Sequence, residues 1–185
     1  MDAIDFLDKD SFLLIEKLLE RKHYLRELAE AAGLSPSHVH KIVSRLESAG
    51  IVAVERQKNR KVFALNNESP LTRRLLSLLC VHKITFSRAY KRLEKMKPKG
   101  IYLFGSAASG EIRSDSDIDF AVFFERKTDS LKLSEIKRDL SNELKKEIQL
   151  IVLTPQKISS MKKEKTELLQ QIRDKGIVLD GEALE

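Results

Sequence analysis

The sequence predicts an α+β protein in which two small domains are joined by a long helix. Residues 1–66 contain three segments with helical spacing of apolar side chains, followed by two β-rich runs. Residues 67–100 are strongly basic and have the pattern of one amphipathic helix. Residues 101–185 alternate short apolar runs with helical segments, which predicts a small mixed sheet covered by helices. We take these three ranges as the domain boundaries.

The N-terminal pattern predicts a winged helix-turn-helix. Apolar side chains recur at helical spacing in residues 10–21, 24–32 and 36–49. Ser35 comes directly before the third helix, where a serine side chain caps free N–H groups. Residues 51–65 form two β-rich runs around a polar turn, which is typical of a hairpin.

Residues 25–29 and 46–52 resemble MarR/ArsR-type DNA-binding domains. The resemblance implies that the third helix enters the major groove of double-stranded DNA and that the wing contacts phosphate or a minor groove. The candidate DNA-binding residues are Ser35, Ser37, His38, His40, Lys41 and Arg45 on the helix, and Arg56, Lys58, Arg60 and Lys61 on the wing. A winged helix that binds only protein stays an open alternative.

The excess of basic over acidic residues is concentrated in the segment between the domains. The whole chain has a net charge of +6, and residues 67–100 contain nine basic and two acidic residues. Apolar positions from Leu71 to Lys97 predict one connector helix of about 27 residues and about 40 Å. We expect this helix to join and pack against the domains; dimerisation through its apolar stripe and phosphate contact along its basic side are alternatives.

The stretch from Ile101 to Phe124 carries the predicted chemistry. An apolar strand ends at Gly105-Ser106, and Asp117 and Asp119 open a second strand. Alternate strand residues share a face, so these two carboxylates lie about 6.6 Å apart along the strand and favour a cation between them. Hard oxygen ligands of this kind suit Mg²⁺ or Mn²⁺ bound with substrate phosphates. Gly105 permits close backbone approach, so the pattern predicts phosphoryl or nucleotidyl transfer by two metal ions.

The ordered Gly105-Ser106, Gly110 and Ser116-Asp117-Ile118-Asp119 resembles the polymerase-β-like nucleotidyltransferases, and in particular their minimal subgroup. The resemblance implies that Asp117 and Asp119 are catalytic and bind metal. It implies that Gly105, Ser106, Gly110 and Ser116 bind a nucleoside triphosphate such as ATP. Some members belong to toxin–antitoxin pairs and modify a partner protein, which makes a toxin partner an expected acceptor.

Two positions depart from this family's pattern. Ser109 stands where arginine is usual, and Gln149 stands on the later strand where a third aspartate is expected. A glutamine side chain cannot act as a general base or as an anionic ligand. Glu147 lies two residues earlier, on the same strand face, and is the candidate substitute for this catalytic role.

The acidic stretch has two simpler explanations. An EF-hand calcium loop starting at Asp115 would need glycine at its sixth position and glutamate at its twelfth, but Phe120 and Arg126 stand there. That alternative is excluded. A Gly/Ser turn followed by a solvated acidic turn, with no ligand, remains.

Composition predicts a cytoplasmic protein with no signal peptide and no membrane span. The single cysteine, Cys80, excludes an internal disulfide. The overall prediction is a DNA-binding nucleotidyltransferase that forms a homodimer and transfers a nucleoside monophosphate to an acceptor hydroxyl. The alternatives are a transcriptional regulator whose catalytic domain has degenerated, and a protein-interaction module with neither activity.

Overall fold

The computed structural model describes residues 8–126 and 128–184 and divides the chain into two compact units, Met1–Arg73 and Arg74–Glu185. The N-terminal residues 1–5, for which the sequence predicts no signal peptide, lie outside the described residues. Within the described ranges, no helix is long and apolar enough to cross a membrane.

The first unit has three helices and a three-stranded antiparallel sheet. Its elements are α1 (Lys9–Glu20), β1 (His23–Tyr24), α2 (Leu25–Ala32), α3 (Pro36–Ser48), β2 (Val52–Gln57) and β3 (Arg60–Leu65). The strand order is β1-β3-β2. The three helices and the hairpin confirm the predicted winged helix-turn-helix arrangement, while the two-residue strand β1 was not predicted.

Local signals in the sequence account for the ends of these elements. Ser35 caps α3 by accepting a hydrogen bond from the His38 N–H at 3.3 Å. The hairpin turns through Lys58 and Asn59, whose φ values of 46° and 66° give the twist that a two-residue hairpin loop requires. The apolar faces of the three helices meet in a core that includes Leu14, Leu28 and Ile42, all fully buried.

The segment predicted as one helix from Leu71 to Lys97 is divided into α4 (Pro70–Thr85) and α5 (Arg88–Glu94), so the single-helix prediction was wrong. Ser87 makes the break. Its hydroxyl donates to the Ile84 carbonyl at 2.8 Å and accepts from the Tyr90 N–H at 3.1 Å, ending one helix and capping the next.

The second unit is built on a four-stranded mixed sheet, as the sequence predicts. Its elements after α5 are β4 (Gly100–Phe104), α6 (Gly105–Ser109), β5 (Ile118–Phe123), α7 (Ser130–Leu144), β6 (Ile148–Leu153), α8 (Pro155–Glu164), α9 (Glu167–Gln170), a π-helix (Gln171–Lys175) and β7 (Ile177–Gly181). The strand order is β6-β5-β4-β7; β5 and β6 are parallel, and the other neighbours are antiparallel.

The helical segment between β6 and β7 is also divided, into α8, α9 and the π-helix. Lys165 adopts a left-handed conformation with φ of 51° and so ends α8. One face of the sheet packs against these helices, and its core includes Tyr102, Phe104 and Ala121. The same face carries Asp119, because Phe104 on β4 lies opposite Asp119 on β5.

Candidate nucleotide and DNA sites

Two aspartates meet at one end of the central strands of the second unit. Asp119 lies in β5 and Asp117 directly precedes this strand. Asp119 is in register with Phe104 on one neighbouring strand and with Gln149 on the other. Asp117 and Asp119 are both partly exposed, so their carboxylates can reach a ligand in solvent.

Gly105 brings the backbone against the Asp119 carboxylate. Its φ of 68° lies in the left-handed region, which favours glycine. A Cβ atom added here would overlap Asp119 Oδ2 and lie 3.2 Å from Asp119 Cγ. Glycine is therefore favoured by the backbone conformation and leaves room for the Asp119 carboxylate beside the turn.

The short helix after Gly105 is fixed from within the unit. Ala107 and Ala108 are buried, and the Gly110 and Glu111 N–H groups donate to the Ser106 carbonyl at 2.9 and 3.0 Å. The buried Ser77 hydroxyl of α4 donates to the Ala108 carbonyl at 3.0 Å. These bonds hold the Gly-Ser turn in place without using its exposed side.

The loop that leads to Asp117 is held by a lysine that sequence reasoning missed. Lys146 Nζ donates to the carbonyls of Arg113 and Ser114 at 2.8 and 2.6 Å. The Ser116 hydroxyl accepts from the Arg113 N–H at 2.9 Å and closes the same loop. The predicted nucleotide-binding Ser116 thus has a structural contact, and no motif in the sequence singles out Lys146.

The charges around the two aspartates are unbalanced. Burial raises the pKa of Asp119 above its ordinary value, and the negative charge of Asp117 raises it further. Burial lowers the pKa of Lys146, while Asp115 and Asp117 act in the opposite direction. A divalent cation between the two carboxylates would relieve their repulsion.

Gln149 occupies the position expected for a third carboxylate. Its Nε2 donates to Asp117 Oδ2 at 3.0 Å. Glu147, the candidate substitute, is exposed, and its backbone carbonyl accepts from the Ile118 N–H at 2.9 Å. In the part of the chain that the structure describes, no three His, Cys, Asp or Glu side chains come together as a metal-binding group. The residues fit an ion held by Asp117 and Asp119.

The candidate DNA-binding residues of α3 fall into two groups. His38 Nε2 lies 2.8 Å from an Asp10 carboxylate oxygen, and an Arg45 guanidinium nitrogen donates to Asp8 Oδ2 at 2.7 Å. Both side chains therefore contact acidic residues at the start of α1. The remaining candidates, Ser35, Ser37, His40 and Lys41, are exposed.

The wing concentrates exposed positive charge. Arg56, Lys58, Arg60 and Lys61 are exposed, and none has an ion-pair partner among the described residues. Arg56 and Lys61 lie directly opposite each other in the hairpin register. Like charges that face each other destabilise a hairpin, so a gain in stability does not explain why these two basic residues are present. Their arrangement is well suited to binding an anionic ligand.

A family model for polymerase beta nucleotidyltransferases matches residues 90–182, half of the chain. The chain belongs to this family. A model for winged helix-turn-helix DNA-binding domains matches residues 25–53, so the first unit is a winged helix-turn-helix. We refer below to the winged-helix unit and the nucleotidyltransferase unit. Comparison with curated proteins found no significant match.

Several solved structures are similar to parts of the chain. A toxin–antitoxin crystal structure with AMP-PNP is 30% identical, covers 55% of this chain and 73% of its own, and gives a TM-score of 0.40. A tri-AMPylated Shewanella oneidensis HEPN toxin in complex with MNT antitoxin is 26% identical, with coverages of 57% and 73% and a TM-score of 0.38. A homodimeric winged helix-turn-helix domain from Mycobacterium bovis is 19% identical, with coverages of 48% and 74% and a TM-score of 0.37.

Proposed function

We propose that this chain is a DNA-binding nucleotidyltransferase whose Asp117 and Asp119 bind a divalent metal ion together with a nucleoside triphosphate. The observation that carries the proposal is the approach of Gly105 to the Asp119 carboxylate, with Asp117 beside it. The backbone of the turn and the two carboxylates therefore lie together at a solvent-accessible place, where a metal-bound triphosphate could bind. Mg²⁺ or Mn²⁺ is the expected ion and ATP the expected nucleotide.

Each nucleotide-site residue has a proposed task. Gly105 and Ser106 would face the phosphates at the start of α6, and Gly110 ends that helix with φ of 79°. Ser116 would act indirectly, since its hydroxyl closes the loop before Asp117. Glu147 is the candidate to accept a proton, because Gln149 has no basic group.

The proposed reaction transfers a nucleoside monophosphate. An acceptor hydroxyl oxygen forms a bond to the α-phosphorus, the bond from the α-phosphorus to the α–β bridging oxygen breaks, and pyrophosphate leaves. The hydroxyl proton passes to a base or to water. The ion would supply charge neutralisation at the phosphates. The sequence resemblance to minimal nucleotidyltransferases of toxin–antitoxin pairs supports a partner protein as acceptor.

The winged-helix unit would bind duplex DNA through α3 and the wing. The unpaired basic side chains of the wing support phosphate contact, and Ser37, His40 and Lys41 are the exposed α3 candidates for the groove. Ser35 would act through its cap on α3, while His38 and Arg45 would have to leave their carboxylate partners or share them. Two copies on two half-sites would give the expected dimer.

A second function is favoured by the hydrogen bond from Gln149 to Asp117. In this alternative the unit binds metal and nucleotide without turnover, and the nucleotide changes DNA affinity, which makes the protein a transcriptional regulator. The Gln149 amide donates a hydrogen bond to the Asp117 carboxylate at the position where an active enzyme of this type would have a third carboxylate.

One experiment separates the two functions. The protein is incubated with α-labelled nucleotides, Mg²⁺ and lysate, beside an Asp117→Asn/Asp119→Asn variant that keeps side-chain size but removes both charges. Label transferred to protein or nucleic acid by the wild type alone supports the enzyme. Nucleotide binding without transfer supports the regulator, and equal nucleotide binding by both proteins refutes the proposed site.

A further inference from the structure

We infer that the carboxylate site accommodates one divalent ion, because Gln149 places a neutral amide where a second ion would need an anionic ligand. The inference rests on the proposed function, since the ion in question is the one that accompanies the nucleotide. It concerns the number of ions and the residue that sets this number.

The geometry around Gln149 leaves no third anionic ligand. The parallel pairing of β5 and β6 puts Gln149 beside Asp119, and the amide reaches over to donate to Asp117 Oδ2. An amide N–H cannot coordinate a cation, and a rotated amide would offer only a neutral oxygen. Glu147 precedes the strand and does not form a three-acid group with the two aspartates within the described ranges.

The charge balance also favours a single ion. Two carboxylates balance one divalent cation, and Mg²⁺ is commonly held by one or two carboxylates plus substrate phosphates. Lys146 adds a positive charge close behind Asp117, where its ammonium group is fixed on the Arg113 and Ser114 carbonyls. A second ion would enter next to this cation and a neutral amide, which is electrostatically unfavourable.

The backbone keeps Gln149 in this position. The Ile118 N–H donates to the Glu147 carbonyl at 2.9 Å, so the strand that carries Gln149 is already bonded to the residue after Asp117. The Lys146 carbonyl accepts from the Ser141 hydroxyl at 2.6 Å, which fixes the entry to β6. The backbone beside Asp117 is thus bonded to the start of β6, and the Gln149 amide lies within hydrogen-bond distance of the Asp117 carboxylate.

Asp117 and Asp119 would hold an ion that neutralises the phosphates, but the Gln149 position would supply neither a ligand for a second ion nor a basic group for the acceptor hydroxyl. The wild type should therefore bind metal and nucleotide but transfer slowly. Restoring a carboxylate by Gln149→Asp should raise the transfer rate on the order of 10²–10⁴-fold, the usual contribution of a positioned proton acceptor.

The test measures ions per bound nucleotide in wild type, Gln149→Asp and Gln149→Asn. Asparagine matches aspartate in size and lacks its charge, so the pair isolates the carboxylate. Equilibrium dialysis with Mn²⁺ and an ATP analogue that has a methylene bridge between its α- and β-phosphates gives both quantities without turnover. Thermal melting of each variant with and without Mn²⁺ verifies that the proteins are folded.

One ion per bound nucleotide in wild type and Gln149→Asn, and two in Gln149→Asp, is the expected result. Two ions in the wild type, or one ion in all three proteins, would overturn the inference. If the wild type retains no analogue at all, the proposed function fails as well, and the missing nucleotide distinguishes that outcome from a wrong ion count.

Discussion

Replacing Gly105 by alanine tests the contact that defines the proposed nucleotide site. Two costs add. A non-glycine residue in the left-handed region costs about 1–2 kcal/mol, and the new Cβ atom forces the Asp119 side chain out of its rotamer at about 0.5–1.5 kcal/mol. The affinity for the metal–nucleotide complex should also fall about tenfold or more, since a 1.4 kcal/mol loss corresponds to tenfold.

Gly33→Ala is the matched control. Gly33 has nearly the same φ, 66°, but an added Cβ atom there would have nothing within 4 Å. This variant should cost only the backbone term of about 1–2 kcal/mol and leave nucleotide binding unchanged. Because the two glycines lie in different units, hydrogen–deuterium exchange of peptides from each unit gives the two free energies separately.

A double-mutant cycle with Asp119→Ala isolates the clash. In the Asp119→Ala background, Gly105→Ala should lose its extra cost and keep the backbone term, which gives a coupling of about 0.5–1.5 kcal/mol. If the coupling is zero and Gly105→Ala binds nucleotide like the wild type, the turn does not approach the carboxylate as described.

Substitutions in the wing, at Glu143 and at Asp119 give three further predictions. Arg56→Ala or Lys61→Ala should stabilise the hairpin by about 0.2–1 kcal/mol, because either removes a like-charge pair, and melting curves measure this gain. The same substitutions should lower the slope of log affinity for duplex DNA against log salt by about 1, as salt titrations would measure. An unchanged slope would exclude phosphate contact by these side chains. The Glu143 carboxylate accepts hydrogen bonds from two backbone N–H groups at the start of α5. Glu143→Ala should lower the stability of this unit by about 0.5–2 kcal/mol, and Glu143→Gln should lower it by less. Hydrogen-exchange rates in α5 measure both effects. Because the pKa of Asp119 is raised in the fold, its charged form destabilises the ion-free protein at a pH above that pKa, and this destabilisation disappears as the pH falls through the pKa. Asp119→Asn should therefore raise the melting temperature at neutral pH and make the melting temperature depend less on pH. A lower melting temperature of the variant at neutral pH would contradict this reasoning.

Local signals explain why much of the fold was predictable. Ser35 and Gly33 mark helix ends within a few residues, and the alternation of apolar and polar side chains fixes the faces of β5. These features depend on neighbours close in sequence, so single-sequence reasoning can find them. The position of Gln149 on the strand beside Asp119 was expected only from the family resemblance, and the parallel register of β5 and β6 agrees with it.

The missed features depend on residues far apart in the chain. The apolar spacing of residues 71–97 continues across Ser87, so periodicity alone could not reveal the break. Glu143, 55 residues beyond Arg88, supplies the acceptor that completes the start of α5. Lys146 likewise contacts carbonyls more than thirty residues earlier, and a lysine before a strand has no distinguishing pattern.

The most direct test of the central claim is a crystal structure of the full chain grown with Mn²⁺ and the methylene-bridged ATP analogue, with anomalous scattering used to locate the metal. The account predicts one Mn²⁺ peak between the Asp117 and Asp119 carboxylates, at ordinary metal–oxygen distances of roughly 2 Å, with the analogue's phosphates beside Gly105. Anomalous density elsewhere, or an analogue bound away from the two aspartates, would contradict it.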